Sequence, residues 1–399
     1  MRPFDGRRVL LVVSGGIAAY KSAILARRLI EAGAVVDVVL TEAAGRFVGP
    51  VTFEGITGRP VQADLWSRPM AHLDLGRDAA AIVVAPATAN TLSKLASGAA
   101  DDLASATLLA ARAPLILAPA MNTRMWLHPA TVRNVAWLNE QGAIIVGPAD
   151  GPLAEGESGP GRMSEPTEIL AHVGRALEPD SGFTGRRVVV TAGPTREPID
   201  PVRVLSNRSS GRMGYALAAA AWRRGAEVTV ISGPGQAPRP AGPRWLEVDT
   251  SREMLAALEN ELTQADILLM AAAVGDFEAS SISPSKMKKR AGSALELSLA
   301  AGPDLLEETK GLRADRGVFT LGFALETDDA LANGRGKLEA KGLQMIAINP
   351  ANEPDAGFEV ETNRVTLLDD AGEIEEIGLL GKDELANRLL DRITGRLRG

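Results

Sequence analysis

Short runs that are almost wholly apolar recur along this chain, separated by longer stretches with apolar positions every three or four residues. In the first half the runs are Val9–Val13, Val35–Leu40, Ala81–Ala85, Leu115–Ala118 and Ala143–Val146, with a helical stretch over Ala18–Ala32 between the first two. Strands apolar on both faces belong inside a parallel sheet covered by helices, so this half predicts an α/β fold. A helical segment from Pro166 to Leu177 leads into Glu178-Pro179-Asp180-Ser181-Gly182, polar and turn-rich enough for a linker. The same alternation then restarts: strands at Arg187–Thr191, Glu227–Ser232, Asp266–Ala273 and Val318–Phe323, and a helix from Tyr215 to Gly225. Near the end, Arg364–Leu368 and Glu373–Ile377 flank Asp369-Asp370-Ala371-Gly372, the pattern of a hairpin. The expectation is two tandem Rossmann-like parallel-sheet domains, residues 1–178 and 183–399.

Length agrees, because 399 residues exceed what one ordinary core holds. Aromatic residues make up only 4% and the formal charge is -7, which argues against nucleic acid or an anionic membrane as partner. The absence of cysteine excludes disulfides, thiolate metal sites and cysteine nucleophiles. The apolar run near the start breaks at Ser14-Gly15-Gly16, without the pattern of a signal peptide, and no stretch of about 18 apolar residues exists to span a membrane. A cytoplasmic enzyme is expected.

Candidate chemistry in the first half gathers at strand ends. The strand ending at Val13 opens into Ser14-Gly15-Gly16-Ile17-Ala18-Ala19-Tyr20-Lys21, where glycines let backbone approach a ligand and helix amides can meet phosphate; a plain structural turn reads the same. Thr41 closes the second strand, and Ala85-Pro86-Ala87-Thr88 closes another. The segments SGGIAAYK, APATANT, GAADDLAS, APAMNTRMW and EGESGPGRM resemble, in order, the flavoprotein family of cysteine decarboxylases, specifically the phosphopantothenoylcysteine decarboxylase half of the bifunctional coenzyme A biosynthesis protein. The resemblance implies FMN, assigned to Ser14, Gly15, Thr41, Thr88 and Ser105. It also implies His72 as the catalytic histidine and Asn122 as the residue holding the substrate carboxylate. His128 and His172 keep structural readings, and Met121 and Met125 read as packing. Much of that family carries a proton-donating cysteine in an LACG motif, whereas this chain reads Leu153-Ala154-Glu155-Gly156. A carboxyl with a raised pKa can donate a proton, and a plain polar loop residue fits Glu155 equally. The alternative is therefore a ligase whose first half binds flavin but is catalytically altered.

In the second half, Thr191 opens a long loop with three prolines, followed by Ser206-Asn207-Arg208-Ser209-Ser210-Gly211, which suits phosphate or a helix cap. No Walker sequence and no G-x-G-x-x-G appear, against an ordinary NTPase or an NAD-dependent oxidoreductase. The segment TAGPTREPIDPVRVLSNRSSGRMG, with AAAVGDF, KMKK and LGFALET, resembles phosphopantothenate-cysteine ligase. The resemblance implies CTP and Mg2+, with 4'-phosphopantothenate and cysteine as the other substrates. It places Asn207 at the acyl-nucleotide intermediate and Met270, Ala271, Ala272, Asp276, Lys286, Pro303, Asp304, Leu305, Leu306, Phe323, Lys337 and Lys341 at the nucleotide. Lys286-Met287-Lys288-Lys289-Arg290 also reads as a solvated basic patch. Gly275 stands where that family commonly has alanine. No metal ligands are assigned, and a homo-oligomer, a dodecamer, is implied by resemblance.

Overall fold

The computed structural model describes residues 3–153, 156–178, 182–288, 295–326, 329–350 and 360–398. The chain separates into two compact units, Met1–Pro179 and Asp180–Gly399.

The first unit is built on five parallel strands: β1 (Arg8–Val13), β2 (Val35–Leu40), β3 (Ala81–Ala87), β4 (Leu115–Pro119) and β5 (Ile144–Ile145), side by side in the order β2-β1-β3-β4-β5. The unbroken apolar runs follow from burial on both faces. Val9, Leu11 and Val13 pack with Leu25 and Leu29 of helix Ala19–Glu31 and with Ile169 and Val173 of helix Pro166–Leu177. Leu10 and Val12 point the other way, toward Leu92, Leu103, Leu108 and Leu138. The strand order reverses between β1 and β3, and at such a switch point two loops diverge and leave a crevice beyond the strands' carboxyl ends. The chain then forms an antiparallel hairpin of β6 (Ala149–Pro152) and β7 (Ser158–Arg162).

The second unit carries an eight-stranded sheet. Its members are β8 (Arg187–Ala192), β11 (Glu227–Ser232), β12 (Arg244–Glu247), β13 (Ile267–Met270), β16 (Phe319–Glu326), β17 (Met345–Pro350), β18 (Thr362–Asp369) and β19 (Ile374–Gly381). They lie in the order β12-β11-β8-β13-β16-β17-β18-β19. The first six run parallel, and β18 and β19 continue the sheet antiparallel, forming the hairpin expected from the turn at Asp369–Gly372. Two small antiparallel pairs project from this frame, β9 (Arg196–Pro198) with β10 (Val204–Ser206) and β14 (Phe277–Ala279) with β15 (Leu299–Ala301). Among the described residues, no helix is long and apolar enough to cross a membrane.

Candidate functional site

A cleft of about 1350 Å³ opens at the carboxyl edge of the first sheet, at the switch point between β1 and β3. Ser14, Gly15, Thr41, Thr88, Ser105 and Asn122 all line it. Ser14 Oγ donates to Pro86 O at 2.7 Å and accepts from Thr88 N at 3.3 Å, joining the ends of the two diverging strands. Thr88 caps helix Ala89–Ser97, its hydroxyl accepting from Thr91 N. Thr41 Oγ1 accepts from Ala44 N at 3.2 Å, which tightens the turn after β2. Gly15 is required where it stands, since a Cβ there would lie 2.4 Å from Ala43 Cβ and 2.8 Å from the Ala43 carbonyl carbon. Helix Ala19–Glu31 has no side-chain cap, so its first turn, bordered by Gly16, Ile17 and Ala18, meets the cleft with backbone alone. Glycine approach, hydroxyls and an uncapped helix start fit the phosphate end of a flavin nucleotide.

Three charged features at this cleft escaped the sequence reading. Lys94 bonds Asp101 and Asp102, both at 2.7 Å, and those two hydrogen bonds hold its pKa above the ordinary value. Burial works to raise the Asp102 pKa, but the Lys94 and Ser105 hydrogen bonds outweigh it and keep it low. Asp102 in turn makes a capping box with Ser105 at the start of helix Leu103–Ala110. The visible signal was the pair of acids just after the helix-ending Gly98. Lys21, 5% exposed, donates to Met163 O at 3.0 Å and to Glu165 Oε1 at 2.8 Å. Arg162 donates to the same Glu165 oxygen at 2.7 Å and is itself one of the residues lining the cleft.

Asn122 follows β4, and its Oδ1 accepts from Arg124 N at 2.7 Å. Met121 N donates to Gly161 O at 2.9 Å, so β7 lies directly over this segment, and a Cβ on Gly161 would come within 2.2 Å of Met121 O. At the tip of the hairpin Leu153 borders the cleft and bonds Glu157 O; Glu155 lies outside the described residues. His72 is half-buried in helix Ala71–Asp78 and is not among the residues lining the cleft. His128 caps helix Pro129–Glu140 through Nδ1, and His172 lies in helix Pro166–Leu177, where burial lowers its pKa.

In the second unit the ends of β8 and β13 meet. Ala271 N donates to Thr191 O, Ala272 N to Thr191 Oγ1, and Gly275 N to Thr195 Oγ1 at 2.9 Å, while Met270 Sδ faces Thr191 Oγ1. Asn207 reaches the same segment, its Nδ2 donating to Ala273 O at 3.3 Å and Val274 O at 2.9 Å. Asp276 joins through its carbonyl, which accepts from Gly302 N beside Pro303. Asp304 caps the turn containing Leu305 and Leu306 and pairs with Lys341 at 2.5 Å. Burial works to raise the Asp304 pKa and the Lys341 bond overrides it; the Lys341 pKa is raised in return. Lys337 pairs with Glu326 at 2.5 Å, three residues beyond Phe323 on β16. Lys286 is exposed after a loop that follows β14. Among the described residues no group of three or more His, Asp or Glu side chains is placed to hold a metal.

Comparison with known proteins matches both units. Residues 2–178 match the Flavoprotein family, and residues 183–397 match the DNA/pantothenate metabolism flavoprotein C-terminal domain. The coenzyme A biosynthesis bifunctional protein CoaBC of Vibrio cholerae is 41% identical over 398 residues, 98% of this chain and 99% of that protein. Its Bacillus subtilis counterpart is also 41% identical, over 98% of this chain and 97% of that one. The crystal structure of a CoaBC C-terminal domain is 32% identical, with 55% of this chain and 99% of that one covered at a TM-score of 0.47. Two family matches in tandem and relatives alike from end to end lead to one conclusion: the chain belongs to the family of bifunctional coenzyme A biosynthesis proteins.

Proposed function

We propose that residues 183–399 join 4'-phosphopantothenate to cysteine with CTP, and that residues 1–178 decarboxylate the 4'-phosphopantothenoylcysteine so formed to 4'-phosphopantetheine. The observation that carries the flavin half is the convergence of Ser14, Gly15, Thr41, Thr88, Ser105 and Asn122 on one cleft at the strand-order reversal. Bound FMN supplies the electron sink that makes loss of carbon dioxide feasible. The chain's own part is orientation. The Gly15 turn and the bare helix start hold phosphate, Thr88 and Ser105 fix the helix ends that wall the cleft, and Asn122 takes the substrate carboxylate. Glu155, which lies between β6 and β7 in sequence, is assigned the proton that completes the product. His72 is assigned the base. It is not among the residues lining the cleft of its own unit, and exposed Met70 and Leu73 flank it in sequence. Such apolar exposure supports a homo-oligomer in which another copy completes the site.

In the ligase the substrate carboxylate attacks the nucleotide α-phosphate, pyrophosphate leaves, and the cysteine amine then takes the acyl group with departure of CMP. Asn207 and the Met270–Ala272 backbone hold the acyl-nucleotide. Lys286, Lys337 and Lys341 face the phosphates, and Lys337 and Lys341 exchange Glu326 and Asp304 for phosphate oxygens as CTP binds. Magnesium, brought in with the nucleotide, would offset the negative charge of the phosphates beside Lys286, Lys337 and Lys341. The cytoplasm is the compartment where these substrates meet.

Mass spectrometry of products from 4'-phosphopantothenate, cysteine, CTP and magnesium tests the whole reading. Phosphopantetheine supports both activities. An enethiol two hydrogens short places the failure at Glu155 and the reductive step. Phosphopantothenoylcysteine alone leaves a ligase with an altered first half, and no product overturns both assignments.

A further inference from the structure

The turn between β9 and β10 holds an acid that the reaction, as assigned above, does not use. Asp200 has a side chain with 0% exposure and accepts four hydrogen bonds. Oδ1 takes the N–H of Val202 and of Arg203, both at 2.8 Å, which forms the turn itself. Oδ2 has a different task. It accepts from Arg203 Nη1 at 2.5 Å and from Met287 N at 3.1 Å, 87 residues away in sequence. Arg203 Nη1 also donates to Met287 O at 3.0 Å. One ion pair therefore grips both backbone polar groups of Met287, the residue between Lys286 and Lys288. A second tie lies close by, with Ser283 N donating to Ile199 O at 3.0 Å.

The other end of the same hairpin leads into the nucleotide segment. β10 closes with Ser206, whose Oγ donates to Thr195 O at 2.7 Å, and the next residue is Asn207, bonded to Ala273 O and Val274 O. The hairpin thus spans from the Asn207 contact to the Met287 contact. We propose that Asp200 is a positioning residue of the ligase: through the Met287 backbone it sets where Lys286 stands relative to Asn207. This rests on the assignment of Lys286 and Asn207 to the acyl-nucleotide. A residue needed only for the turn would use Oδ1 alone, and the commitment of Oδ2 to a distant backbone sets Asp200 apart from a simple turn former.

The two oxygens can be separated by substitution. Asp200→Asn keeps an acceptor for the turn but places an NH2 group against Met287 N–H and Arg203 Nη1, donor against donor. Asp200→Ser retains a shorter turn-forming oxygen and lacks the second acceptor, a backup should the first variant fold poorly. In the full-length chain, pyrophosphate release is measured against CTP, 4'-phosphopantothenate and cysteine in turn, with circular dichroism as the check on fold. The expected result is a fall in kcat/KM for CTP of about 10- to 100-fold, with KM for cysteine unchanged. Combined with Lys286→Gln, the Asp200→Asn effect is expected to shrink toward none, because there is no longer an ammonium to place. Full additivity of the two substitutions overturns the positioning role while leaving Lys286 in the site. A Lys286→Gln variant with parental CTP kinetics overturns the assignment of Lys286 itself, and the positioning role with it.

Discussion

Asn122 and Asn207 show how the two units solve one problem from opposite sides. In the first unit the asparagine follows a strand of the main sheet, and the β6–β7 hairpin comes down on it through Gly161 and Met121. In the second the asparagine follows the β9–β10 hairpin and reaches to the sheet, to the carbonyls after β13. Asn122 Oδ1 accepts from Arg124 N, two residues on, and Asn207 Nδ2 donates to two carbonyls 66 and 67 residues away. What the units share is therefore contact between a hairpin and a sheet edge. Close approach of backbone secures it in one, and side-chain hydrogen bonds secure it in the other.

The comparison breaks most sharply at Gly161. A methyl group at Gly161→Ala must displace the Met121 carbonyl, moving the hairpin off Asn122. Decarboxylation is expected to fall about 100-fold or more, with pyrophosphate release by the ligase unaltered; parental decarboxylation would mean that the hairpin contact does not seat Asn122. Next in size is Asn207→Asp, which sets carboxylate oxygens against the Ala273 and Val274 carbonyls. A loss of ligase turnover of about tenfold to 100-fold is expected, with flavin absorbance and decarboxylation unchanged.

Smaller effects sharpen the picture of the second hairpin. Burial works to raise the Asp200 pKa, but the N–H groups of Val202, Met287 and Arg203 and the Arg203 guanidinium bring it from 3.8 down to about 2. A carboxyl depressed on folding stabilises the fold above its unfolded pKa and ceases to do so as pH falls through the folded one. The stability gap between the parent and Asp200→Asn should thus hold steady above about pH 4 and close toward pH 2, read by denaturant unfolding across that range. The smallest effect concerns Gly275→Ala. Its Cβ would meet Glu197 Cγ at 3.4 Å and Thr195 Oγ1 at 3.5 Å, ordinary contacts. A gain of about 0.4–1 kcal/mol is expected from the less flexible unfolded chain, seen as a higher Tm with unchanged CTP kinetics.

The sheets were legible because strands buried on both faces are apolar at every position, as Val9–Val13 and Ile267–Met270 are. The glycine turn and strand-end threonines were legible for a related reason: they stand where those runs stop. The β6–β7 and β9–β10 hairpins were not, in contrast to β18–β19 with its plain turn sequence. Ser158–Arg162 contains two glycines and a proline and has no alternation of apolar and polar positions; it is a strand because it pairs with Ala149–Pro152, and Gly161 also accepts from Met121 N. Met345–Pro350 opens with four apolar residues, the same signal that marks the other buried strands. Distance in space was legible only where strand ends gather residues. Ser14 and Thr88 are 74 positions apart and bonded, whereas nothing in the spacing of His72 says that the cleft of its own unit leaves it aside.

Lys21 gives the first unit an order of assembly. Among the described residues its ammonium is held by Met163 and Glu165, 142 and 144 residues later, and helix Ala19–Glu31 packs on helix Pro166–Leu177. A nascent chain that has reached the end of β4 already has Ser14, Thr41, Thr88 and Ser105, yet lacks the segment that closes around Lys21. The wall of the cleft is thus finished by the last residues of the unit to leave the ribosome, and firm retention of a ligand there must wait for them.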